Sequence, residues 1–300
     1  MSSNQAANQS DRTTARGLAR VLGVFHNISY YAPEMKAFAD VGLPEYWRAY
    51  IAYRSAPMGP VAPSVVTATF YNFAPRVVAA AVPSAWDGIT PQGAIDLRDD
   101  CIDQALRRAL GDLLDSADLR EAAGLAMKGI DAAEVGARPL FAAHTELPSP
   151  NEPHRLLWHA CTLWREHRGD SHNLALAAAD IDGIECHVLL AAKGVGAFAV
   201  IEKIRGWTSA EWSDAVDRLV SRGFLAEEST ADTPVFTPQG ETLRQSIETE
   251  TDRLASGPRR SLGPDDSSRL VALMEPVVGQ LITSGAVPGR WPPPTERAPG

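Results

Sequence analysis

The chain has 300 residues, and its 45% hydrophobic content is typical of a globular protein with enough apolar side chains for two ordinary domains. Its formal net charge of −9 repels nucleic-acid phosphates, so DNA binding would need a local basic patch. The three cysteines are widely separated and lack C-x-x-C spacing, which indicates reduced core thiols and predicts neither a disulfide framework nor a zinc site.

Both ends of the chain are predicted to be disordered tails. Residues 1–14 hold almost no apolar side chains, and residues 286–300 are crowded with proline. No signal-peptide pattern occurs, and no apolar run approaches the roughly 18 residues that span a bilayer. These features predict a cytoplasmic protein that does not contact a membrane.

The first half, residues 15–145, is predicted to be helical and to carry part of a ligand site. Helices separated by proline or glycine are predicted over residues 18–31, 33–39, 44–54 and 64–81. Tyrosine rings can form an apolar wall that keeps hydroxyls for orienting a ligand, and an arginine beside a Pro/Gly turn is typical of an anion site. The candidate ligand-binding residues are His26, Tyr30, Tyr31, Tyr50 and Arg54. Such a stripe is also typical of a core.

The second half, residues 150–285, begins with an amphipathic helix that is predicted to stop at Arg168-Gly169-Asp170, with further helices over residues 173–179 and 185–193. The block W-R-E-H-R-G-D-S-H is the densest polar feature of the chain. Its arginines could clamp a carboxylate or phosphate, and its histidines could act as acid or base. The candidate ligand-binding residues are Trp164, Arg165 and Arg168; the candidate catalytic residues, should the protein be an enzyme, are His167, Asp170, His172 and Glu185.

The same polar block has other interpretations. It is also typical of a solvated helix face with a core histidine. A metal site built from its acidic and histidine side chains matches no known ligand spacing, so no metal is predicted. The chain has no phosphate-binding or dinucleotide-binding glycine motif and no nucleophile elbow, so no cofactor is predicted either.

A helix, a hairpin and a second helix are predicted in that order from Thr208 onward. Thr208 and Glu211 have the spacing of a capping box, and the apolar positions that follow recur at helical spacing up to Gly223. Two short apolar runs, 224–226 and 235–236, enclose a polar segment and predict a small β-hairpin. The Thr-Pro pair that follows is typical of a helix start.

Two short sequence matches suggest that the halves arose by duplication. Residues 89–93 and 236–240 share T-P-Q-G and are 147 residues apart, and residues 39–43 resemble residues 180–184 at nearly the same offset. The predicted fold class is therefore mainly α, with tandem winged-helix-like repeats, small β-hairpin wings and a ligand cleft between the halves.

The stretch RGWTSAEWSDAVDRLVSRGFLAEESTADTPVFTPQGETLRQSIETETDRLA, residues 205–255, resembles the MarR-like winged-helix proteins. With YYAPE, YRSAPMGPV, FYNFAPRVV and REHRGDSH, the whole chain resembles an actinobacterial family that carries only a helix-turn-helix label. The resemblance implies a fold and no particular reaction. Residues 205–254, however, contain only five arginines and as many as ten carboxylates, and this excess of negative charge disfavours DNA binding.

These observations favour a sensor or transcriptional regulator that binds a small, partly aromatic and anionic molecule between the two halves. Two alternatives are an enzyme that uses His/Asp/Arg acid–base chemistry on the same scaffold and a conventional DNA-binding repressor. A homodimer is left open.

Overall fold

The computed structural model describes residues 3–195 and 198–288, with the side chains of residues 3–14 left out of the description. This part of the chain is mainly helical. The α-helices are α1 Ser3–His26, α2 Ile28–Tyr31, α3 Tyr46–Ser55, α4 Pro63–Phe70, α5 Pro75–Ala81, α6 Pro91–Leu110, α7 Ala117–Ile130, α8 Pro139–Thr145, α9 Pro153–Ala178, α10 Glu185–Ala192, α11 Phe198–Arg205, α12 Ser209–Ser221, α13 Pro238–Leu254, α14 Gly257–Leu262 and α15 Pro264–Thr283. Short 3₁₀ helices cover Pro33–Val41, Ala56–Met58, Ser84–Asp87 and Gly111–Asp115.

The chain ends and the helix lengths bear on two earlier predictions. Of the predicted tails, residues 3–14 are helical as the beginning of α1, and Ala286 and Val287 are buried. Residues 1–2 and 289–300 lie outside the described residues, so the prediction of disorder there stays a prediction. None of the helices in the described ranges combines the length and apolar character needed to cross a membrane.

The helix starts follow from local capping. Thr208 and Glu211 form the predicted capping box at the start of α12, which confirms that element. Thr90 and Thr237 each accept a hydrogen bond from a glycine amide three residues on, at 3.0 Å, with proline at the first helical position. The two T-P-Q-G segments therefore begin α6 and α13 in the same way.

The prediction of winged-helix repeats with β-hairpin wings was wrong. The described residues contain no β-strand, and the predicted hairpin is reduced to one isolated bridge between Leu225 and Phe236. The apolar runs are too short to form a ladder. Hydroxyls in the loop also take the amides that a ladder would use: Ser229 accepts from the Val235 amide and Thr230 from the Thr233 amide, both at 3.1 Å.

The prediction that a helix stops at Arg168-Gly169-Asp170 was also wrong, because α9 continues without a break to Ala178. A single glycine costs a helix only about 1 kcal/mol, and tertiary packing outweighs that cost. Asp170 does not cap a following helix. Its carboxylate accepts hydrogen bonds from the Leu140 and Phe141 amides, at 3.0 and 2.9 Å, at the start of α8.

The larger hydrophobic core draws on both predicted halves. It joins α1, α3, α6 and α7 to α9 and α15, with Phe25, Leu106, Leu119, Trp158 and Leu270 among its buried side chains. Helix α15 packs along α1, and α7 packs along α9, so each half supplies a late helix to the first long helix of the other. The core therefore crosses the predicted boundary between residues 145 and 150.

A smaller core holds α10, α11, α12 and α13 together with the end of α9, around the buried Trp212 and Leu219. It docks on the first half through the turn after α4. There the Tyr71 hydroxyl donates to the Ile181 carbonyl at 2.6 Å. Gly183 lies directly against this turn, since a Cβ at Gly183 would stand 2.1 Å from the Tyr71 carbonyl oxygen.

Gly183→Ala should therefore lower the free energy of unfolding by about 1–3 kcal/mol, the usual effect of overpacking against a backbone atom that cannot move aside. Urea denaturation of the variant and the wild-type protein measures this change. Gly124→Ala is the matched control, because Gly124 lies exposed in α7 with nothing within 4 Å of the added carbon, and it should gain about 0.5–1 kcal/mol. Equal stability of the two variants would contradict the docking described here.

Candidate functional site

A cavity of about 920 Å³ lies among α1, α3, α4, α9 and α13, at the junction of the two cores. This volume is within the range of sites for drug-sized molecules. Its apolar surface comes from α1 and from the rings of Tyr50, Phe70 and Trp164. The cavity therefore has room and apolar surface for a small organic molecule.

The charged lining of the cavity is strongly unbalanced. Seven cationic side chains line it, against two carboxylates, although the whole chain carries a net charge of −9. The cations are Arg16, Arg54, Arg165, Arg168, Lys193, Arg205 and Arg259; the carboxylates are Glu248 and Asp252. Cations that line a cavity with low-dielectric walls attract anions and raise their local concentration.

At one end of the cavity, two of the arginines share the buried carboxylate of Glu166, which is 2% exposed. Arg54 binds it with two hydrogen bonds of 2.9 and 2.7 Å, and Arg165 donates to it at 2.5 Å. Burial alone would raise the pKa of Glu166, but Arg165 and Arg54 hold it well below its ordinary value. Glu166 is therefore ionised and fixes both guanidiniums.

Tyr50 belongs to the same cluster. Its hydroxyl accepts a hydrogen bond from Arg165 at 2.9 Å. Burial opposes ionisation of the phenol, yet Arg165, Arg54 and Arg205 together lower the pKa of Tyr50 to about 8. This tyrosine can thus change charge near neutral pH.

Arg205, the last residue of α11, forms no ion pair with a carboxylate among the described residues. Its guanidinium carbon lies 4.1 Å from the Phe73 ring centroid and 5.7 Å from that of Trp47. The Nε and Nη1 atoms are buried without a hydrogen-bond partner. Burial lowers the pKa of Arg205, and the charges of Arg54 and Arg165 lower it further. A half-buried cation with two buried, unmatched donors is typical of a site that receives an anion.

Polar contacts, some exposed and some buried, join the α9 and α13 sides of the cavity. Arg168 pairs with Asp252 at 3.2 Å and with Glu248 at 3.5 Å. The His172 Nδ1 lies 2.9 Å from the Thr251 hydroxyl, and burial lowers the pKa of His172 to about 4. His172 is therefore neutral at pH 7.

Of the eight predicted ligand-binding residues, five line the large cavity: Tyr50, Arg54, Trp164, Arg165 and Arg168. His26 and Tyr30 line a neighbouring space of about 10 Å³, which is roughly the volume that holds one water molecule. Around it, His26 Nδ1, Tyr53 Oη and His144 Nε2 are buried without a partner. Tyr31 lines neither space.

The four predicted catalytic residues are not brought together. Only His172 lines the cavity. His167 packs edge-on against Phe141 at 5.0 Å, and Asp170 holds the start of α8. Glu185 pairs with Arg218 of α12 and with Arg222, the residue that follows α12. Among the described residues, no group of three His, Cys, Asp or Glu side chains is placed to hold a metal ion.

The sequence reasoning missed Arg205. It lies far along the chain from the aromatic residues that it contacts, and the motif around it indicates only a helix end. Its one local signal is the following glycine, Gly206, whose φ of 74° marks a tight turn.

Comparison with known proteins decides the family. A helix-turn-helix family matches residues 15–288. The chain belongs to this helix-turn-helix family. No curated protein and no solved structure matches it. Within this helix-turn-helix protein, α11 and α12 are joined by the three residues 206–208, a turn length and a glycine that are typical of the motif.

The exposed face of α12 is acidic, as the sequence predicts. Asp214 and Asp217 are exposed. Arg218 of this helix and Arg222, which directly follows it, pair with carboxylates at or just before the start of α10. Arg218 pairs with Asp182 at 2.8 Å, and both arginines pair with Glu185 at 3.1 Å. These pairs leave little positive charge on α12 to meet a phosphate backbone.

Two of the cavity arginines, Arg54 and Arg205, should differ in how replacement by methionine changes stability. Arg54→Met leaves the buried Glu166 with one cation and should lower the free energy of unfolding by about 3 kcal/mol. Arg205→Met keeps the apolar contact with Phe73 and removes unmatched donors, so stability should be unchanged or about 1 kcal/mol higher. Urea denaturation of both variants compares them, and a large loss in Arg205→Met would show that this arginine is a structural residue.

Tyr50 should be detected by its ionisation. In a titration followed at the tyrosinate absorbance band, one tyrosine should ionise with a pKa of about 8 and vanish in Tyr50→Phe, because the five other tyrosines have raised pKa values. The folded-state pKa lies below the ordinary value of about 10, so between these pH values the unfolded state binds more protons and this group adds stability as pH rises. A wild-type titration with no step below pH 9 would contradict the arrangement.

Proposed function

We propose that this helix-turn-helix protein is a sensor or regulator that binds a small, partly aromatic, anionic molecule in its large cavity. The main support is the charge of the cavity lining. Seven cations and two carboxylates surround a volume of about 920 Å³, although the net charge of the chain is −9. Aromatic rings supply surface for the rest of the ligand, and the guanidiniums supply donors for its acidic group.

The arrangement of the cations supports a ligand with a compact anionic group. Arg54 and Arg165 are already oriented by Glu166, so little side-chain entropy is lost when a ligand binds them. Glu166 neutralises only one of these two charges. Arg205 adds a charge with no carboxylate, and together the three leave an excess that an anionic ligand would balance.

Family membership favours a regulator-like or DNA-binding role, and the charges on α12 bear on which. A direct operator-binding role for α12 is weakened by its exposed aspartates and by the pairing of Arg218 and Arg222. We therefore place recognition in the cavity and treat α12 as the element through which occupancy is passed on. The enzyme alternative has less support, because the predicted acid–base residues contact different parts of the structure.

Isothermal titration of the full chain with 1-naphthoate and its neutral isostere 1-naphthamide tests this function. The acid should bind roughly 10- to 100-fold more tightly, since hydrogen bonds to a charged group contribute about 1.5–3 kcal/mol. Ala19→Trp, which fills the cavity from α1, should weaken both ligands by roughly tenfold or more, whereas Ala132→Trp on an exposed turn should leave binding unchanged.

Two outcomes would contradict the proposed function. One is equal affinity for acid and amide, which would mean that the cationic lining does not select anions. The other is full binding in Ala19→Trp, which would place the ligand outside the cavity.

A further inference from the structure

Arg205 belongs to two parts of the molecule at once. Its backbone ends α11, immediately before the turn into α12, while its guanidinium stacks on Phe73 in the first half and lines the cavity. No carboxylate pairs with it within the described residues, and Arg54 and Arg165 act on it as like charges. An anion in the cavity would therefore attract this side chain.

The backbone next to this side chain is fixed to the segment after α4. The Arg205 carbonyl accepts from the Ala74 amide at 2.9 Å, and the Trp207 indole donates to the Asn72 carbonyl at 3.0 Å. At Gly206 a Cβ would stand 2.0 Å from a Val77 methyl, so the turn lies directly on α5. The turn between α11 and α12 thus takes its position from residues 72–77.

The same region continues to the start of α12. Arg76 donates two hydrogen bonds of 2.7 Å to Glu211, the residue that completes the capping box of α12, and a third to the Gly206 carbonyl. Asn72 at the start of this segment and Phe70, the last residue of α4, line the cavity. One side of the segment therefore contacts the cavity, and the other holds the first turn of α12.

We propose that Arg205 binds the acidic group of the ligand, a carboxylate on an aromatic ring system, and that this pairing changes the order of the turn between α11 and α12. The inference rests on the proposed function. It adds the residue that selects the anion, and it adds the contacts through which ligand binding in the cavity affects the helix-turn-helix. Without an anion, repulsion from Arg54 and Arg165 favours the position of Arg205 over Phe73. A bound carboxylate offsets that repulsion, and its oxygens accept hydrogen bonds from the planar guanidinium of Arg205. It therefore changes the relative populations of the positions that this side chain occupies.

Titration of Arg205 variants with 1-naphthoate tests the first part. Arg205→Met should weaken naphthoate binding roughly 10- to 100-fold while leaving naphthamide binding unchanged, because only the acid uses the charge. Arg205→Lys keeps the charge without the fork and should fall between the two. Arg108→Met, an exposed arginine paired with Glu34 outside the cavity, is the matched control and should bind as the wild-type protein does.

Hydrogen exchange of the full chain tests the second part. Saturating naphthoate should change the exchange rates of amides 206–213 in the wild-type protein, and this change should be absent in Arg205→Met at naphthoate concentrations raised to the same occupancy. Equal naphthoate affinity in the wild-type protein and Arg205→Met would overturn the role of Arg205 and leave the proposed function standing. Binding that needs Arg205 but leaves amides 206–213 unchanged would overturn the coupling. No saturable naphthoate binding to the wild-type protein would overturn the proposed function and this inference with it.

Discussion

The buried carboxylate of Glu166 is the interaction on which the cavity depends. It lies in the middle of α9, and its two oxygens hold Arg54 from α3 and the neighbouring Arg165. Because a buried carboxylate is unfavourable without cations, and two guanidiniums that face each other are unfavourable without a carboxylate, the three groups stabilise one another only in this geometry. That geometry joins α3 to α9 and orients Tyr50 through Arg165. The shape of the cavity at this end is thus set by electrostatics as much as by packing.

Two other arginines of the cavity, Arg168 and Arg205, are arranged differently from Arg54 and Arg165. Arg168 reaches carboxylates of α13 in an exposed setting, where ion pairs contribute little, and Arg205 has an aromatic ring in place of a carboxylate. A folded chain tolerates such a residue when the surrounding structure is stable enough to hold it, and unmatched charges of this kind cluster at binding sites. Arg54 therefore maintains the fold, whereas Arg205 is available to a ligand.

Features that depend on residues close together in the chain could be predicted from the sequence, and contacts between distant segments could not. The caps at Thr208 and Thr237 were correct because a cap depends on residues three positions away. The hairpin failed because the hydroxyls of Ser229 and Thr230 compete for the amides of a strand pair, and the break at Gly169 failed because α9 is held by its neighbours on several sides. Five predicted ligand residues reached the cavity since they lie in two dense polar and aromatic segments. Arg205 could not be found in this way, because its partners are far away in the chain.

The exchange of late helices between the halves has a consequence for how the molecule folds. Helix α9 needs α7 from the first half, and α1 needs α15 from the end of the chain, so neither half can complete its own apolar surface while it is synthesised or when it is isolated. Contacts of this kind join residues that are distant in sequence, which slows folding. The cavity is lined by α1 and α9, two of the helices that take part in this exchange, so a molecule bound there would stabilise the folded state of the whole chain against unfolding.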